Sequence, residues 1–544
     1  MSASNNPVMK RVEAMREAWM QATESPDVRL LVWRIPANAD RMFAAFVEAQ
    51  QHPGDWNTPD FFLRLDAPFE TGFGYSRALK QELERGYFDS IDAFKEQGIA
   101  ADWIGVHDTQ PDSAAGFVAQ LASFAQHHGK HLRHVAAVLM PASVVSDAAL
   151  EAWLDAALRA PVPPSLRLVL VDDAQACRWQ ALVERHGALA RVIEAPIDLF
   201  DIARETAAQA GGAGPTTAYR QMLTDVMTLL ERGSAAQTAA RAEKALVLAQ
   251  REQWPDQQVV LHMAVAGAHL KEQQHAEAIG RYRRARDCAL QAELARHPAA
   301  GSLVMQSWFG EAGAWLVARQ PSRAAQAYVH GAEAARRVPN AMFVIEGYRM
   351  AGFCLAQDRH VEGAREHLLR ALQEAKAVAP AERAMTTLPL VLQDLLRLQD
   401  APRTERLERC ASDYQAATAQ AHGHAEQQAG KLGDRPAPAA LERIEADLLE
   451  ALERCFARFG HERERLVAGG DEFFRKVVAV GRDFLHPAWN GLPEVKHPLD
   501  KELPEWRQPP QFALLPDPDP LFLDQPQAGT PEPVPMPAVT EGVA

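Results

Sequence analysis

Cysteine is scarce in this sequence, with five residues in a chain of 544. Cys177, Cys288, Cys354, Cys410 and Cys455 are far apart, and none belongs to a CxxC pair or to the spacing of zinc ligands. This pattern argues against a disulfide framework and against a structural zinc site. We therefore expect reduced, mostly buried thiols in a cytoplasmic protein.

Long apolar runs are also missing. The most apolar stretch, residues 135–145, is interrupted by Pro141 and is too short to cross a bilayer. The first 19 residues hold no apolar core of signal-peptide length. The sequence therefore favours a cytoplasmic protein without a membrane partner.

Basic residues are fewer than acidic residues, and the formal net charge is −14. Such a chain has no global positive field with which to bind nucleic-acid phosphates. One local basic run is interpreted as a solvated helix face; it consists of Arg281, Arg283, Arg284 and Arg286. We expect no nucleic-acid partner.

Motifs for nucleotide chemistry and hydrolysis are absent. The sequence contains no GxxxxGKS or GxxxxGKT phosphate loop, no GxGxxG, no GxSxG and no HExxH. Carboxylate pairs are frequent on predicted helix surfaces, but none stands out as an acid–base pair. We predict that the protein is not an enzyme, and we assign it no catalytic residue, no cofactor and no metal site.

Two features keep other chemistry open. The stretch Leu166 to Asp173 resembles the magnesium-binding strand of P-loop NTPases, which implies a degenerate nucleotide-binding domain in a signal-transducing regulator. The other interpretation is that Asp172 and Asp173 begin a loop and cap a helix. A histidine cluster at 127, 128, 131 and 134 has partly helical spacing that could hold a metal, but a polar loop is the preferred interpretation.

Six short apolar runs alternate with predicted helices between residues 25 and 208. The runs cover residues 30–35, 61–65, 103–106, 135–140, 166–171 and 191–194. Strands that alternate with helices of this length form parallel sheets covered on both faces. Residues 25–208 are therefore predicted to be one α/β domain with a mostly parallel sheet.

Residues 216–400 contain a recurring pattern of side-chain size. A small, a bulky and a small residue follow at offsets of four and three, and the triplet begins at Thr238 in its weakest copy and at Ala278, Ala324 and Ala364. A further position, small in three of four copies, precedes each triplet by 12 residues. Small residues let antiparallel helices approach closely, and the bulky residue fills the groove between neighbouring hairpins. The pattern predicts stacked helical hairpins, with an irregular alanine-rich bundle as the alternative.

This pattern resembles the tetratricopeptide repeat (TPR) family. One full repeat is matched by Trp308, Ala312, Trp315, Ala324, Tyr328 and Gly331, and the next by Tyr348, Gly352, Ala364, Leu368 and Ala371. The resemblance implies an α-solenoid that binds other proteins. The copies are 40, 46 and 40 residues apart, whereas the family period is about 34, which implies longer helices or loops here.

Residues 403–485 are predicted to form further helices, and residues 487–544 a disordered, proline-rich tail. Fourteen of the 36 prolines lie in the last 58 residues, a density that prevents regular helix or sheet. Apolar residues in this acidic strip, among them Phe512, Leu515 and Phe522, suggest a docking motif for a partner or for the protein's own repeat groove. A solvated tail with incidental apolar residues is the alternative.

Together these features predict a non-enzymatic scaffold, adaptor or chaperone that binds protein partners through helical repeats. Trp308, Trp315 and Tyr348 are candidate contacts, although aromatic residues at these positions also form the core between helices. The Ala- and Arg-rich composition and the stretch DFFLRLDAPFE are similar to accessory proteins of bacterial contractile secretion systems, which implies a secretion-related role. The oligomeric state stays open.

Overall fold

The computed structural model describes residues 6–36, 38–50, 54, 57–96, 98–105, 110–209, 214–338, 340–485, 495 and 518. The chain divides into two compact units, Met1–Gln253 with Ser412–Arg458, and Trp254–Ala411 with Phe459–Ala544. These divisions lie at other positions than the domain boundaries expected from the sequence, which stay predictions.

The first unit contains the predicted parallel sheet, which is confirmed. Its strands are β1 (Leu30–Ile35), β2 (Phe61–Leu65), β3 (Val135–Leu139), β4 (Leu166–Asp173) and β5 (Ala190–Glu194). They pair in the order β2-β3-β4-β1-β5, and every pairing is parallel. Val135 of β3 pairs with Leu166 of β4 and Leu30 of β1 with Leu168, so the most apolar runs of the sequence form the centre of the sheet.

The predicted strand at 103–106 was wrong. Residues 101–105 form no strand, and Val106 lies outside the described residues. Trp103 instead packs edge-on against Tyr87 and Phe124, and its backbone N–H donates to the Tyr87 hydroxyl at 3.1 Å. Aromatic burial, rather than strand pairing, explains this apolar run.

Among the residues described in the first unit, ten helices surround the sheet or follow it. They are α1 (Pro7–Ala22), α2 (Asp40–Ala49), α3 (Gly72–Asp89), α4 (Ile91–Glu96), α5 (Ala114–His127), α6 (Asp147–Arg159), α7 (Gln180–His186), α8 (Leu199–Gln209), α9 (Pro215–Arg232) and α10 (Ala235–Arg251). Alternate strand residues point to two separate cores. One core contains side chains from α1, α2 and α8, and the other contains side chains from α3, α5, α6 and α7.

The second unit is a stack of helices. They are α11 (Pro255–Lys271), α12 (His275–Leu294), α13 (Ala300–Val317), α14 (Pro321–Ala335), α15 (Ala341–Gln357), α16 (Val361–Glu374), α17 (Pro380–Arg383), α18 (Leu388–Gln399) and α21 (Glu472–Val480). Two long helices, α19 (Ala401–Gly430) and α20 (Pro438–Ala468), contribute residues to both units. None of the helices in the described part of the chain combines the length and the apolar character needed to cross a bilayer.

The recurring sequence positions fall on successive helix pairs, and all of them are buried. The earlier helix of each pair carries Val226, Ala266, Ala312 or Gly352, and the later helix carries the triplet. A Cβ at Gly352 would lie 2.7 Å from Leu368 Cγ, within one pair. A Cβ at Gly310 would lie 2.2 Å from the ring of Tyr282, the bulky residue of the preceding pair. Close approach within and between helix pairs therefore depends on these small residues.

Several turns of the second unit contain a non-glycine residue in the left-handed conformation, which the sequence does not predict. In four of them, Gln273, Arg296, Arg319 and Arg359 adopt left-handed φ angles between 56° and 61°. The N–H that follows each one bonds a carbonyl in the last turn of the preceding helix, as His360 N does to Leu355 O at 2.9 Å. This is the Schellman ending, in which glycine is usual because it has no Cβ.

We predict that Arg359→Gly stabilises the protein. The side chain is exposed, and a left-handed conformation costs a non-glycine residue about 1–2 kcal/mol. Glycine also loses more conformational entropy on folding, which offsets about 0.5–1 kcal/mol of that relief. The net increase in the free energy of unfolding is therefore about 0.5–1 kcal/mol. Urea unfolding of the full chain measures the gain, with the β-branched variant Arg359→Val as a destabilising control. A lower midpoint for Arg359→Gly than for the natural chain would contradict the explanation.

Candidate functional site

Two of the predicted contact residues, Trp308 and Trp315, lie on one face of α13 and are half-buried. The Arg286 guanidinium of α12 lies 3.6 Å from the Trp308 ring centroid, and the His330 ring of α14 stacks on the same indole at 4.6 Å. Seven residues further along α13, the guanidinium groups of Arg283 and Arg323 lie 5.8 Å and 4.8 Å from the ring centroid of Trp315.

Glu311 holds this arrangement together. Its side chain is 4% exposed and accepts from Arg283 Nε at 2.9 Å, from Arg286 Nη1 at 2.5 Å and from Trp315 Nε1 at 3.2 Å. Burial alone would raise the pKa of Glu311, but the hydrogen bonds and charge of Arg286 and Arg283 outweigh it and lower the pKa. Glu311 is therefore ionised and fixes both guanidinium groups against the indoles.

We call this surface the Trp–Arg stripe, which consists of Arg283, Arg286, Trp308, Glu311, Trp315, Arg323 and His330. Its three arginines and one glutamate leave an excess of two positive charges. Arg323 is exposed, and no acidic side chain pairs with it among the residues that the structure describes; the same holds for Arg284 on α12. Guanidinium donors held beside half-buried aromatic rings are suited to bind carboxylates.

Tyr348, the third predicted aromatic contact, is completely buried on α15. Its hydroxyl donates to Glu333, and the Arg370 guanidinium lies 4.4 Å from its ring centroid. Burial and the hydrogen bond to Glu333 raise its pKa to about 12. These contacts favour a role in packing, and its role as a partner contact stays a prediction.

The other three predicted contacts are in the tail. Phe512, Leu515 and Phe522 lie outside the described residues. The structure brings Trp308 and Trp315 together in one stripe. The binding role of these two residues and of the three tail residues stays a prediction.

Sequence reasoning missed the residues that surround the tryptophans. The basic run of α12 was interpreted as a solvated face, but Arg286 is only 14% exposed in its side chain, and Arg283 also binds Glu311. A usable signal was present, because Trp308, Glu311 and Trp315 are spaced three and four residues apart and so share a helix face. An acid between two aromatic residues on such a face indicates a buried ion pair with a neighbouring helix.

The carboxyl edge of the sheet was the other predicted location for chemistry. The neighbouring strands β1 and β4 connect in opposite directions across the sheet, β1 to the outer strand β2 and β4 to the outer strand β5. Open α/β sheets bind ligands at the carboxyl ends of two such strands. Asp172, however, accepts the backbone N–H groups of Arg178 and Trp179 at 2.9 and 3.2 Å. Asp173 accepts those of Gln175 and Ala176 at 2.6 and 3.3 Å. Both carboxylates thus organise the turn that precedes α7.

The histidine cluster is divided among separate environments. His127 Nε2 lies 2.9 Å from Asp102, His128 is buried and stacks on Phe94, and His131 is exposed. Burial lowers the pKa of His128. In the described ranges of the chain, no three His, Cys, Asp or Glu side chains form a group that could hold a metal ion.

His134 belongs to a buried polar cluster at the amino ends of β2, β3 and β4. Asp60 accepts two hydrogen bonds from Arg133 at 2.8 and 2.6 Å, one from Trp19 Nε1 at 2.6 Å and one from His134 Nδ1 at 3.0 Å. Arg167 Nη2 lies 3.0 Å from His134 Nε2. Because a guanidinium can only donate, His134 Nε2 accepts from Arg167, and Nδ1 faces the Asp60 carboxylate.

This cluster explains two buried charges. Burial alone would raise the pKa of Asp60, but hydrogen bonds from Arg133, His134 and Trp19 hold that pKa well below its usual range. Burial lowers the pKa of Arg167, a fully buried residue of β4, to about 10. The cluster lies at the opposite edge of the sheet from the β1/β4 reversal, so we interpret it as structural.

No protein-family model matches the chain, and no curated protein matches it. Among solved structures, RapI in its apo form is 11% identical, with a TM-score of 0.31, over 48% of this chain and 73% of RapI. BtubC from P. vanneervenii is 15% identical, with a TM-score of 0.31, over 50% of this chain and 91% of BtubC. Likeness at this level supports no conclusion about function.

We predict that Asp60→Asn costs about 3 kcal/mol of stability, because it removes the buried carboxylate that pairs with Arg133 and the negative charge that favours the nearby buried Arg167. The folded-state pKa of Asp60 is below its unfolded value, so its contribution is complete above about pH 5 and is lost as the pH falls below about 4. The variant should therefore lose less stability than the natural chain between pH 5 and pH 3, as measured by urea unfolding.

Asp92→Asn is the matched control for this prediction. Asp92 has a 95% exposed side chain in a surface ion pair with Lys95, so its replacement should change stability by less than about 0.5 kcal/mol. Equal acid dependence in Asp60→Asn and in the natural chain would refute the assignment of the low pKa to Asp60.

Proposed function

We propose that this protein is a non-enzymatic adaptor, scaffold or chaperone that binds other proteins through a TPR-like solenoid of helical hairpins. The proposal rests on one observation above the others: the Trp–Arg stripe holds paired cations beside aromatic rings and leaves Arg323 exposed without an acidic partner among the described residues. A surface that served only to pack helices would not need an uncompensated charge at its rim.

The chemistry of the stripe indicates an acidic partner segment. Arg283 has a side chain that is 55% exposed and uses its Nε atom on Glu311, so further N–H donors are free to bind a ligand. Arg323 approaches the same indole from α14. A carboxylate between the two guanidinium groups would gain charge-assisted hydrogen bonds, and its neighbouring apolar residues would cover the exposed part of Trp315.

The nucleotide-binding alternative has less support. The reversal of strand order between β1 and β4 favours a ligand at that edge. Asp172 and Asp173 already accept four backbone hydrogen bonds, and a nucleotide-bound magnesium ion would have to compete with these. We therefore place this regulator second. A secretion-related role is a further proposal that rests only on the resemblance of composition and of the DFFLRLDAPFE stretch.

Charge reversal on the stripe tests the adaptor function. We predict that the double variant Arg284→Glu, Arg323→Glu captures its specific partner proteins at least tenfold less than the natural chain, because Arg323 is an exposed cation of the stripe and Arg284 an exposed cation on the neighbouring helix α12. Affinity purification of the full chain from its own cells, with quantitative mass spectrometry, measures the capture. Arg359→Glu is the matched control, since Arg359 is also exposed and lies in the turn between α15 and α16, outside the stripe. Equal capture by all three chains would argue against the stripe as a binding surface.

A further inference from the structure

We propose that the Trp–Arg stripe is occupied, in the free protein, by the chain's own residues 511–525, which we call the acidic segment. This inference rests on the proposed binding function of the stripe and adds its regulation. The acidic segment reads QFALLPDPDPLFLDQ. It lies outside the described residues except for Pro518.

Charge complementarity is the first argument. The acidic segment carries Asp517, Asp519 and Asp524 and has no lysine or arginine. The stripe has an excess of two positive charges, and Arg323 lacks an acidic partner among the residues with described positions. The segment therefore offers the carboxylates that the stripe is suited to bind, next to the apolar residues Phe512 and Leu515.

Chain length permits the contact. The described residue that precedes the acidic segment is the buried Val495, and 15 residues, 496–510, separate the two. A proline-rich linker of this length spans at most about 47 Å at about 3.1 Å per residue. The stripe lies in the same compact unit as Val495, and a unit of this size is roughly 45 Å across. The reach of the linker is therefore comparable to the width of its unit, which permits the contact.

Burial of Pro518 is an independent observation. It is the only residue of the acidic segment that the structure describes, and it is buried. Proline has no side-chain polarity to lose, and a proline among aspartates in a solvated tail would be exposed. Its burial indicates that Pro518 packs against other residues rather than lying in water.

Intramolecular docking would make the tail a competitor of partner proteins. A segment of the same chain, tethered within reach of the stripe, has a high effective concentration there, so even weak docking competes with a partner protein. A partner must then present a segment with more carboxylates or better apolar contacts. The tail would set an affinity threshold for binding.

A cross-link between the stripe and the tail tests the contact directly. In the full chain, Arg323→Lys keeps the charge and adds an amine that a carbodiimide couples to a neighbouring carboxylate. We expect mass spectrometry to find the lysine introduced at position 323 joined to Asp517, Asp519 or Asp524. The matched control is Arg359→Lys, at another exposed position outside the stripe, where coupling to the same aspartates should be at least tenfold lower.

Isotope mixing identifies the source of the tail. In a mixture of nitrogen-15-labelled and unlabelled chains, docking in one chain gives only cross-links of matched labelling. Cross-links of mixed labelling would replace the proposal with docking of a second copy, and coupling no stronger at position 323 than at position 359 would overturn it. Partner capture that depends on Arg284 and Arg323 would, in that case, leave the adaptor function standing.

Peptide binding supplies a second measurement. A fluorescein-labelled peptide of residues 508–525 is titrated against the natural chain and against Asp517→Asn, Asp519→Asn, Asp524→Asn in the full chain. If the tail occupies the stripe in the natural chain, the stripe is exposed in the triple variant. The peptide should then bind the triple variant at least tenfold more tightly than the natural chain. Arg323→Glu in the triple variant should abolish that gain. Equal affinity of the peptide for the natural chain and the triple variant would contradict the proposal.

Discussion

The close approach of antiparallel helices is the constraint on which the rest of the second unit depends. The ring of Tyr282 occupies the space that a Cβ on Gly310 would need, and Leu368 does the same at Gly352. A larger residue at Gly310 would have to displace the Tyr282 side chain, and one at Gly352 would also meet the Ala364 backbone O at 2.9 Å. The stripe follows from this packing, because α13 contacts both α12 and α14 and so brings their arginines to its tryptophans.

Each unit contains a buried carboxylate that arginine side chains keep ionised. Asp60 and Glu311 are both buried carboxylates, and hydrogen bonds to arginine keep the pKa of each below its usual value. The Asp60 cluster uses its charges internally, since Arg133 and His134 bind one carboxylate at the amino edge of the sheet and Arg167 binds His134. Glu311 satisfies two arginines but leaves Arg323 to solvent. The buried ion pair of the first unit is thus enclosed among its own partners. The buried ion pair of the second unit instead supports a surface on which Arg323 is exposed.

The sequence predicted much of the fold for identifiable reasons. Short strand-forming runs located the five strands that the structure describes, and the continuous apolar runs among them form the buried central strands β1, β3 and β4. The run at 103–106 is the exception, since Trp103 is buried by neighbouring aromatic rings and an apolar run alone cannot distinguish that burial from strand pairing. Small residues at repeated offsets located the helix pairs, because only close helix packing requires them at that spacing.

What the sequence alone determined is local: which segments form helices and strands, which residues must be small, and which motifs of known chemistry are missing. What only the tertiary structure decided is the grouping of charges. Arg286 and Arg323 lie on different helices, and their distances from α13 depend on how α12 and α14 pack beside it. Likewise, Asp172 and Asp173 could serve a ligand or a turn until the backbone N–H groups of residues 175–179 were seen to occupy them. Side-chain periodicity encodes which face of an element is buried, but partners across space depend on packing that no single segment contains.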